Sequence, residues 1–253
     1  MSVVPDQTPA WLTAFLDFPA PEFDAGVRFW RGATGYELSA VRGERDEFAT
    51  LVPPDGSDYL RVQRLGEGFT RLHLDVSVPD PEEFRAQAVA LGATLAGATS
   101  GNLPVLRTPS GLMVCVQGPV DGVVPAGTTW PDGHASRVVQ VCLDVPRRSF
   151  DAEIEFWHRV LGGRWVELED AEIVIRQAGE SALSLRLKPA EITPEVAAHL
   201  HLVTDQRATE VERLVGLGAV VRAVRPAKSI LEAPGGLAVC VVDEAGEGGT
   251  CRL

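Results

Sequence analysis

Three histidines in two similar apolar segments are the residues best suited to chemistry. His73 lies in a Leu-His-Leu tripeptide, and His201 lies in a second copy of it 128 residues later. His199 precedes His201 by two residues, which places both side chains on one face of an extended strand. An imidazole titrates near neutral pH, so it can contact a ligand or act as an acid–base group. The sequence favours a hydrogen-bonded structural role and leaves the functional one open.

The cysteines are the second group with chemical potential. Cys115, Cys142 and Cys240 lie in apolar, strand-like runs, and Cys251 lies near the end of the sequence. This placement is typical of buried thiols in a reducing compartment rather than of a disulfide framework. The sequence shows no signal peptide and no apolar run long enough to span a membrane, so we expect a cytoplasmic protein.

Composition excludes several classes of function. The chain has 253 residues, a net charge of −12 and a pI near 4.9, which argues against binding to nucleic acid or to an anionic membrane. It contains no dinucleotide-binding glycine motif, no P-loop, no zinc-protease motif and no nucleophile elbow. The length suggests two domains.

The elements that must position these residues occur twice, because the chain contains an internal duplication. Residues 14–38 resemble residues 141–168, including a Phe-Trp pair and a following glycine. The Leu-His-Leu tripeptide, a Leu-Gly-Ala block and a Pro-x-Gly-Leu-x-Val-Cys-Val block follow in the same order in both copies. Offsets of 125 to 128 residues between matching blocks indicate two copies of one domain.

The hydrophobic pattern divides each copy into two modules of order βαβββ, so we predict four such modules in the chain. A stretch rich in Pro, Gly, Thr and Asp marks a linker between the copies. The predicted organisation is an N-terminal tail, a first domain, a linker, a second domain and a C-terminal tail, at residues 1–10, 11–118, 119–136, 137–246 and 247–253.

The order of these blocks resembles the vicinal oxygen chelate superfamily, which includes glyoxalase I, bleomycin-resistance proteins and extradiol dioxygenases. The strings that carry the resemblance are the Phe-Trp pairs, YLRVQRL, RLHLDVSVPD, LGAT and TPSGLMVCV. They are especially similar to tandem glyoxalase-like proteins of actinobacterial type. The resemblance covers nearly the whole chain and implies an α+β fold, with four βαβββ modules forming two cup-shaped mixed sheets.

The resemblance also implies where a divalent metal would bind, since strands one, four, five and eight supply His, Gln or Glu ligands in the metal enzymes. The positions that correspond are Phe15, Gln63, His73 and Cys115 in the first repeat, and Cys142, Arg186, His201 and Cys240 in the second. Phenylalanine cannot ligate, and no carboxylate stands at any of these positions. We therefore expect no metal in the first repeat.

The second repeat offers a less usual metal set. Cys142, His201 and Cys240 together form a zinc-type donor set. Against this, cysteines on apolar strands usually behave as small buried hydrophobes, and Arg186 near the fourth-strand position would repel a cation. The sequence therefore favours no metal cofactor and keeps this set as the weaker alternative.

Several buried-looking side chains carry structural expectations. Asp17 and Asp144 lie in the first strand of each repeat, and Asp75 follows His73 by two residues. A carboxylate that faces inward needs a partner, such as an arginine, so we expect these three to alternate outward to solvent. Trp30 and Trp157 are predicted to brace helix against sheet, with a partner for each indole N–H.

Taken with the resemblance, these residues predict a protein that binds a small hydrophobic or oxygenated molecule in a concave cavity, with an antibiotic held without metal as one such ligand. The alternative is a metal-dependent lyase, isomerase or dioxygenase with a non-standard ligand set, and whether the chain is an enzyme stays open. We expect a monomer with paired domains or a homodimer. The residues predicted to contact the ligand are the eight listed positions and His199.

Overall fold

The computed structural model describes residues 11–98, 104–177, 180–191 and 193–244. The predicted tails and Cys251 lie outside these residues. Within them, no helix has the length and apolar character needed to cross a membrane. The thiols of Cys115, Cys142 and Cys240 are buried, as their apolar surroundings in the sequence predict.

The first repeat contains two helices and eight strands. They follow the chain in the order β1 (Trp11–Pro19), α1 (Ala20–Thr34), β2 (Glu37–Leu38), β3 (Phe48–Val52), β4 (Leu60–Leu65), β5 (Arg71–Ser77), α2 (Pro81–Ala90), β6 (Thr94–Ala98), β7 (Pro104–Arg107) and β8 (Met113–Gln117). The α1 helix ends at Gly35, whose positive φ of 73° suits a left-handed helix cap. Asp80 caps α2 by accepting hydrogen bonds from two backbone N–H groups of its first turn.

The second repeat has the same order of elements after one extra short strand in the linker. They are β9 (Thr128–Thr129), β10 (Ala135–Pro146), α3 (Phe150–Leu161), β11 (Arg164–Glu167), β12 (Ile173–Arg176), β13 (Ser184–Ala190), β14 (Ala197–Thr204), α4 (Arg207–Gly216), β15 (Val220–Val224), β16 (Lys228–Glu232) and β17 (Ala238–Asp243). Short 3-10 turns precede α3 and β12.

Each repeat forms one mixed sheet. The strand order is β2-β3-β4-β1-β5-β8-β7-β6 in the first and β11-β12-β13-β10-β14-β17-β16-β15 in the second, with β9 beside β10. The pairs β5–β8 and β14–β17 are parallel, while the hairpins are antiparallel. The prediction of an α+β fold with four βαβββ modules in two mixed sheets is confirmed.

The compact units of the chain do not follow the two repeats. The first unit contains residues 11–14, 73–124 and 141–198, and the second contains residues 15–72, 125–140 and 199–244. Each unit therefore combines one module of the first repeat with one module of the second. The domain limits 11–118 and 137–246 stay a prediction.

The first unit joins α3 to the turn before β8 through a buried carboxylate. Glu153 is fully buried, and it accepts hydrogen bonds from the backbone N–H of Ser110 and the indole N–H of Trp157, each at 2.8 Å. Burial raises the pKa of Glu153, although these hydrogen bonds oppose the shift. The indole N–H of Trp157 therefore has the hydrogen-bond partner that was predicted for it, and that partner is Glu153.

The second unit makes the corresponding contact with glycines. A Cβ atom at Gly26 would lie 2.7 Å from the ring of Phe18, and one at Gly235 would lie 2.8 Å from the same ring. Gly26 matches Glu153 in the repeat, so the indole of Trp30 lacks the acceptor that Trp157 has. The helix and the turn are therefore joined by polar contacts in the first unit and by close approach of two glycines to Phe18 in the second.

A buried histidine fixes the linker within the second unit. His134, to which the sequence assigns no role, lies between Asp132, with Nδ1 2.5 Å from Oδ1, and Glu210, with Nε2 2.8 Å from Oε2. Arg213 donates to the same Glu210 carboxylate and stacks over the ring of Trp130 at 3.5 Å. Burial lowers the pKa of His134, but the bonds to the two carboxylates outweigh it and raise the pKa above its usual value.

Candidate functional site

The first unit contains a compact group of three side chains that can bind a metal. His73 and Asp75 lie on β5, and Asp75 stands opposite Cys115 of the parallel strand β8. The two-residue period of a strand places His73 on the same face as Asp75. His73 Nε2 lies 3.8 Å from Asp75 Oδ1, and one ligand atom from each of the three residues lies within 4.8 Å of the others.

All three side chains are buried, with exposed fractions of 5% for His73, 8% for Asp75 and 9% for Cys115. The expectation that Asp75 points to solvent is wrong, because β5 is an interior strand whose side chains are buried on both faces. Asp17 is also buried, and Arg71 holds it through a 3.1 Å hydrogen bond from Nε to Oδ2. A buried carboxylate must be paired or bound to a cation, so each of these positions has a specific environment.

The donor set of this group suits a divalent transition metal. An imidazole nitrogen, a carboxylate oxygen and a thiolate sulfur are all established zinc ligands. Three protein donors leave a coordination position for water or substrate, which distinguishes catalytic zinc sites from closed structural ones. The residues therefore fit a metal ion, and the carboxylate missing from the mapped positions is supplied by Asp75.

The second repeat places its donors differently. On β14, the rings of His199 and His201 lie 5.3 Å apart. His201 stands opposite Cys240 of β17, but Cys240 packs in an apolar cluster that contains Val139, Val203 and Val242. Cys142 is a buried thiol on β10. The predicted set of Cys142, His201 and Cys240 stays a prediction.

The arginine at the fourth-strand position of the second repeat is paired with a carboxylate. Arg186 Nε donates to Glu172 Oε2 at 2.6 Å, and both side chains are largely buried. The repulsion that the sequence predicts between Arg186 and a cation is therefore reduced by a carboxylate, which the sequence did not identify as its partner.

The remaining mapped residues of the first repeat lie in the second unit. Phe15 is buried, packs edge-on against Phe48 at 6.1 Å, and has the guanidinium of Arg61 5.8 Å above its ring. Gln63 is half-buried on β4, directly opposite Phe48. These positions form an aromatic surface with polar neighbours rather than a set of metal ligands.

The sequence singles out Asp75 as an unusual carboxylate in a strand but does not connect it to the histidine and the cysteine. The signal was its spacing, because a residue two positions after His73 shares its face of the strand. The pairing of Asp75 with Cys115 carries no signal in the sequence, since it depends on the register between two strands that are far apart in the chain.

Comparisons with known proteins agree with this architecture. A family model described as a glyoxalase-like domain matches residues 13–117 and again residues 140–242. No curated protein matches the chain. Solved structures that match include the Mn(II)-bound glyoxalase from Novosphingobium aromaticivorans, at 17% identity and a TM-score of 0.65, covering 94% of this chain and 83% of that one.

Two further solved structures are similar over nearly their whole length. The 2,3-dioxygenase LapB from Pseudomonas sp. KL28 matches at 14% identity and a TM-score of 0.64, covering 93% of this chain and 91% of that one. A variant of 4-hydroxymandelate synthase from Streptomyces coelicolor matches at 15% identity and a TM-score of 0.63, covering 96% and 94%. At these identities the likeness shows the fold alone.

Proposed function

Because the chain belongs to the glyoxalase-like domain family, whose domain it carries twice, we propose that it binds a divalent metal ion at His73, Asp75 and Cys115. We further propose that it acts there on a small oxygenated molecule. The observation that carries the proposal is the convergence of three buried donors of different chemistry within 4.8 Å on adjacent strands. The sequence favoured metal-free binding because Phe15 cannot ligate and because the mapped positions lack a carboxylate. Asp75 supplies a carboxylate, and the proposed donor set does not include Phe15.

Similar proteins support a metal at this kind of site. One structural neighbour is described as an Mn(II)-bound glyoxalase, and others as dioxygenases. Two of the three donors, His73 and Cys115, stand at the fifth- and eighth-strand positions that the superfamily resemblance implies. The chain differs from the usual pattern in placing a thiol at the eighth-strand position and a carboxylate beside the histidine.

The thiol influences which metal is favoured. Thiolate is a soft ligand that prefers zinc to manganese or magnesium, and a set of one thiolate, one imidazole and one carboxylate suits zinc well. When bound, such an ion would act as a Lewis acid that polarises a substrate oxygen. Asp75 and Cys115 would contribute two negative charges that balance the ion, while His73 would add a neutral donor.

Binding of a small molecule without metal is the second candidate, as proposed for a bleomycin-resistance-type protein. The observation that favours it is Phe15, which stands at the first-strand ligand position, is buried against Phe48 and cannot bind a metal. An aromatic surface of this kind suits an apolar ligand, and Gln63 would supply a polar anchor. In either case we propose a cytoplasmic protein that works as a monomer or a homodimer.

Metal analysis of protein purified without chelator tests the first candidate. We expect about one equivalent of metal in the wild-type protein, and loss of that metal in the variant His73→Ala. The matched control is His201→Ala, which removes the equivalent histidine of the second repeat and should keep the metal. Wild-type protein without metal after zinc loading would favour the second candidate, and loss in the control alone would contradict the assignment to the first repeat.

A further inference from the structure

The three-stranded hairpin sheet of the second repeat, β11–β13, has two chemically different faces. The register pairs Trp165 with Ile175 and Ile175 with Leu185, so these three side chains share one face. That face is turned toward α3, because the ring of His158 on α3 lies 6.2 Å from the ring of Trp165. Ile175 and Leu185 are fully buried there. This apolar face is part of the core of the first unit.

The opposite face carries an unusual concentration of positive charge. Arg164 on β11 stands directly opposite Arg176 on β12, and Arg186 on β13 stands opposite Val174. Since Arg176 follows Val174 by two residues, Arg176 and Arg186 are diagonal neighbours on the same face. In a chain with a net charge of −12, three arginines on one small sheet face require an explanation.

The arrangement is costly without a negative partner. Like charges directly opposite each other on adjacent strands destabilise a sheet. Glu172 supplies one carboxylate, and its 2.6 Å hydrogen bond from Arg186 Nε commits that carboxylate to Arg186. Among the residues that the structure describes, the buried Nε of Arg176 has no hydrogen-bond partner. An anion placed between the guanidiniums of Arg176 and Arg186 would supply a hydrogen-bond acceptor for Arg176 and a negative charge for this face.

We propose that this face binds the anionic group of a small molecule, a carboxylate or a phosphate, through Arg176 and Arg186. The planar guanidinium donates two parallel hydrogen bonds and matches both groups in geometry. Val166 and Val174 stand opposite each other on the same face, so the ligand has an apolar surface beside the charged one. The favoured ligand class is therefore a small organic anion, and the bond to Glu172 holds Arg186 in place to receive it.

The first repeat does not share this property. At the comparable face of β3 and β4, Phe48 stands opposite Gln63 and Thr50 stands opposite Arg61. Arg61 is already paired with Asp58 at 2.9 Å. The anion site is therefore assigned to the second repeat, and it does not depend on metal binding at His73.

Calorimetric titration of the full chain tests the proposal with two probes, inorganic phosphate and benzoate, each at an ionic strength matched with chloride. We expect at least one probe to bind at one equivalent, and the tighter of the two to identify the charged group. Arg176→Gln should weaken binding at least tenfold, because a neutral amide replaces the paired, charge-assisted hydrogen bonds of the guanidinium. Arg222→Gln is the matched control, since Arg222 is exposed and paired with Glu232 on β16 at the other end of the sheet.

The stability of the variant without any probe separates binding from a structural role. Because Arg176→Gln removes a like-charge contact, we expect its Tm in chloride to equal or exceed that of the wild type. Binding of neither probe, or equal weakening in Arg176→Gln and Arg222→Gln, would overturn the proposal. A lowered Tm together with unchanged affinity would show that Arg176 serves the fold and not a ligand.

Discussion

The strands β5 and β14 carry the same Leu-His-Leu tripeptide. They pair with β8 and β17, the matching strands of the two repeats, in registers that differ by two residues. In the first repeat Asp75 stands opposite Cys115. In the second repeat His201 itself stands opposite the matching cysteine, Cys240. The two cysteines are therefore equivalent in sequence but face different neighbours.

The composition of the two faces differs in the same sense. At the position of Asp75 the second repeat has Val203, which packs with Cys240 and Val242 in an apolar cluster. In the first repeat the cysteine shares its face with a carboxylate and an imidazole. The duplication has thus preserved the fold while changing the donor set, and a site cannot be transferred from one repeat to the other by sequence alignment alone.

Exchanging the residues that distinguish the two faces should have the largest effect. Val203→Asp places a carboxylate without a cation in the apolar cluster, so we expect the free energy of unfolding to fall by about 3–5 kcal/mol. The reciprocal change, Asp75→Val, should lower it by less, about 1–2 kcal/mol in metal-free protein, because it removes a buried carboxylate but leaves the imidazole of His73 without that neighbour. Urea unfolding measures the free energy of unfolding of both variants. Equal losses would contradict the conclusion that the two faces differ in polarity.

The two cysteines provide the next test. Cys115→Ser replaces a soft metal ligand with a hydroxyl, so we expect zinc affinity to fall at least 10- to 100-fold. When the Cys115→Ser protein is loaded with Co(II), the thiolate charge-transfer absorption of the wild type should be absent. Cys240→Ser should leave both unchanged, and an equal effect of the two substitutions would show that the second repeat also binds the metal.

The contact of α3 with the turn before β8 should contribute less to stability than the changes above. The first unit makes this contact through Glu153, whereas the second unit has Gly26 at the matching position. Glu153→Gln keeps one acceptor oxygen but removes the charge that binds both Ser110 and Trp157, so we expect a loss of about 1–2 kcal/mol. Thermal unfolding measures this loss. Glu155→Gln is the control, since Glu155 is exposed on the same helix, pairs with Arg159 and should have little effect. A stable Glu153→Gln variant would mean that shape alone closes the first unit, as it does around Gly26.

The smallest effect on stability is expected from His134 in the linker, and it is seen only when the pH is varied. The folded pKa of His134 lies above its usual value, so its protonated form stabilises the fold fully below about pH 6.5. This stabilisation is lost as the pH rises through the raised folded pKa. Urea unfolding between pH 6 and 9 should show this fall in the wild type and a flatter profile in His134→Gln. Identical profiles would contradict a protonated bridge between Asp132 and Glu210.

Much of the fold could be read from the sequence because its signals are local. Hydrophobic periodicity indicated the helices and strands, and the matched blocks indicated four modules in two sheets. The register of β5 on β8 left no such signal, because a slip of two residues keeps every side chain on its face. The burial of Asp75 also left no local signal, because it depends on β5 being an interior strand of the sheet. The bond from His134 to Glu210 joins residues that are 76 positions apart.

The atoms that bind the metal distinguish a site in the first repeat from one in the second. X-ray absorption at the zinc edge of the loaded wild-type protein should show one sulfur ligand at about 2.3 Å, one imidazole and oxygen ligands. This is the pattern required by Cys115, His73 and Asp75. A shell without sulfur, or one with two imidazoles, would contradict the assignment of the metal site to the first repeat.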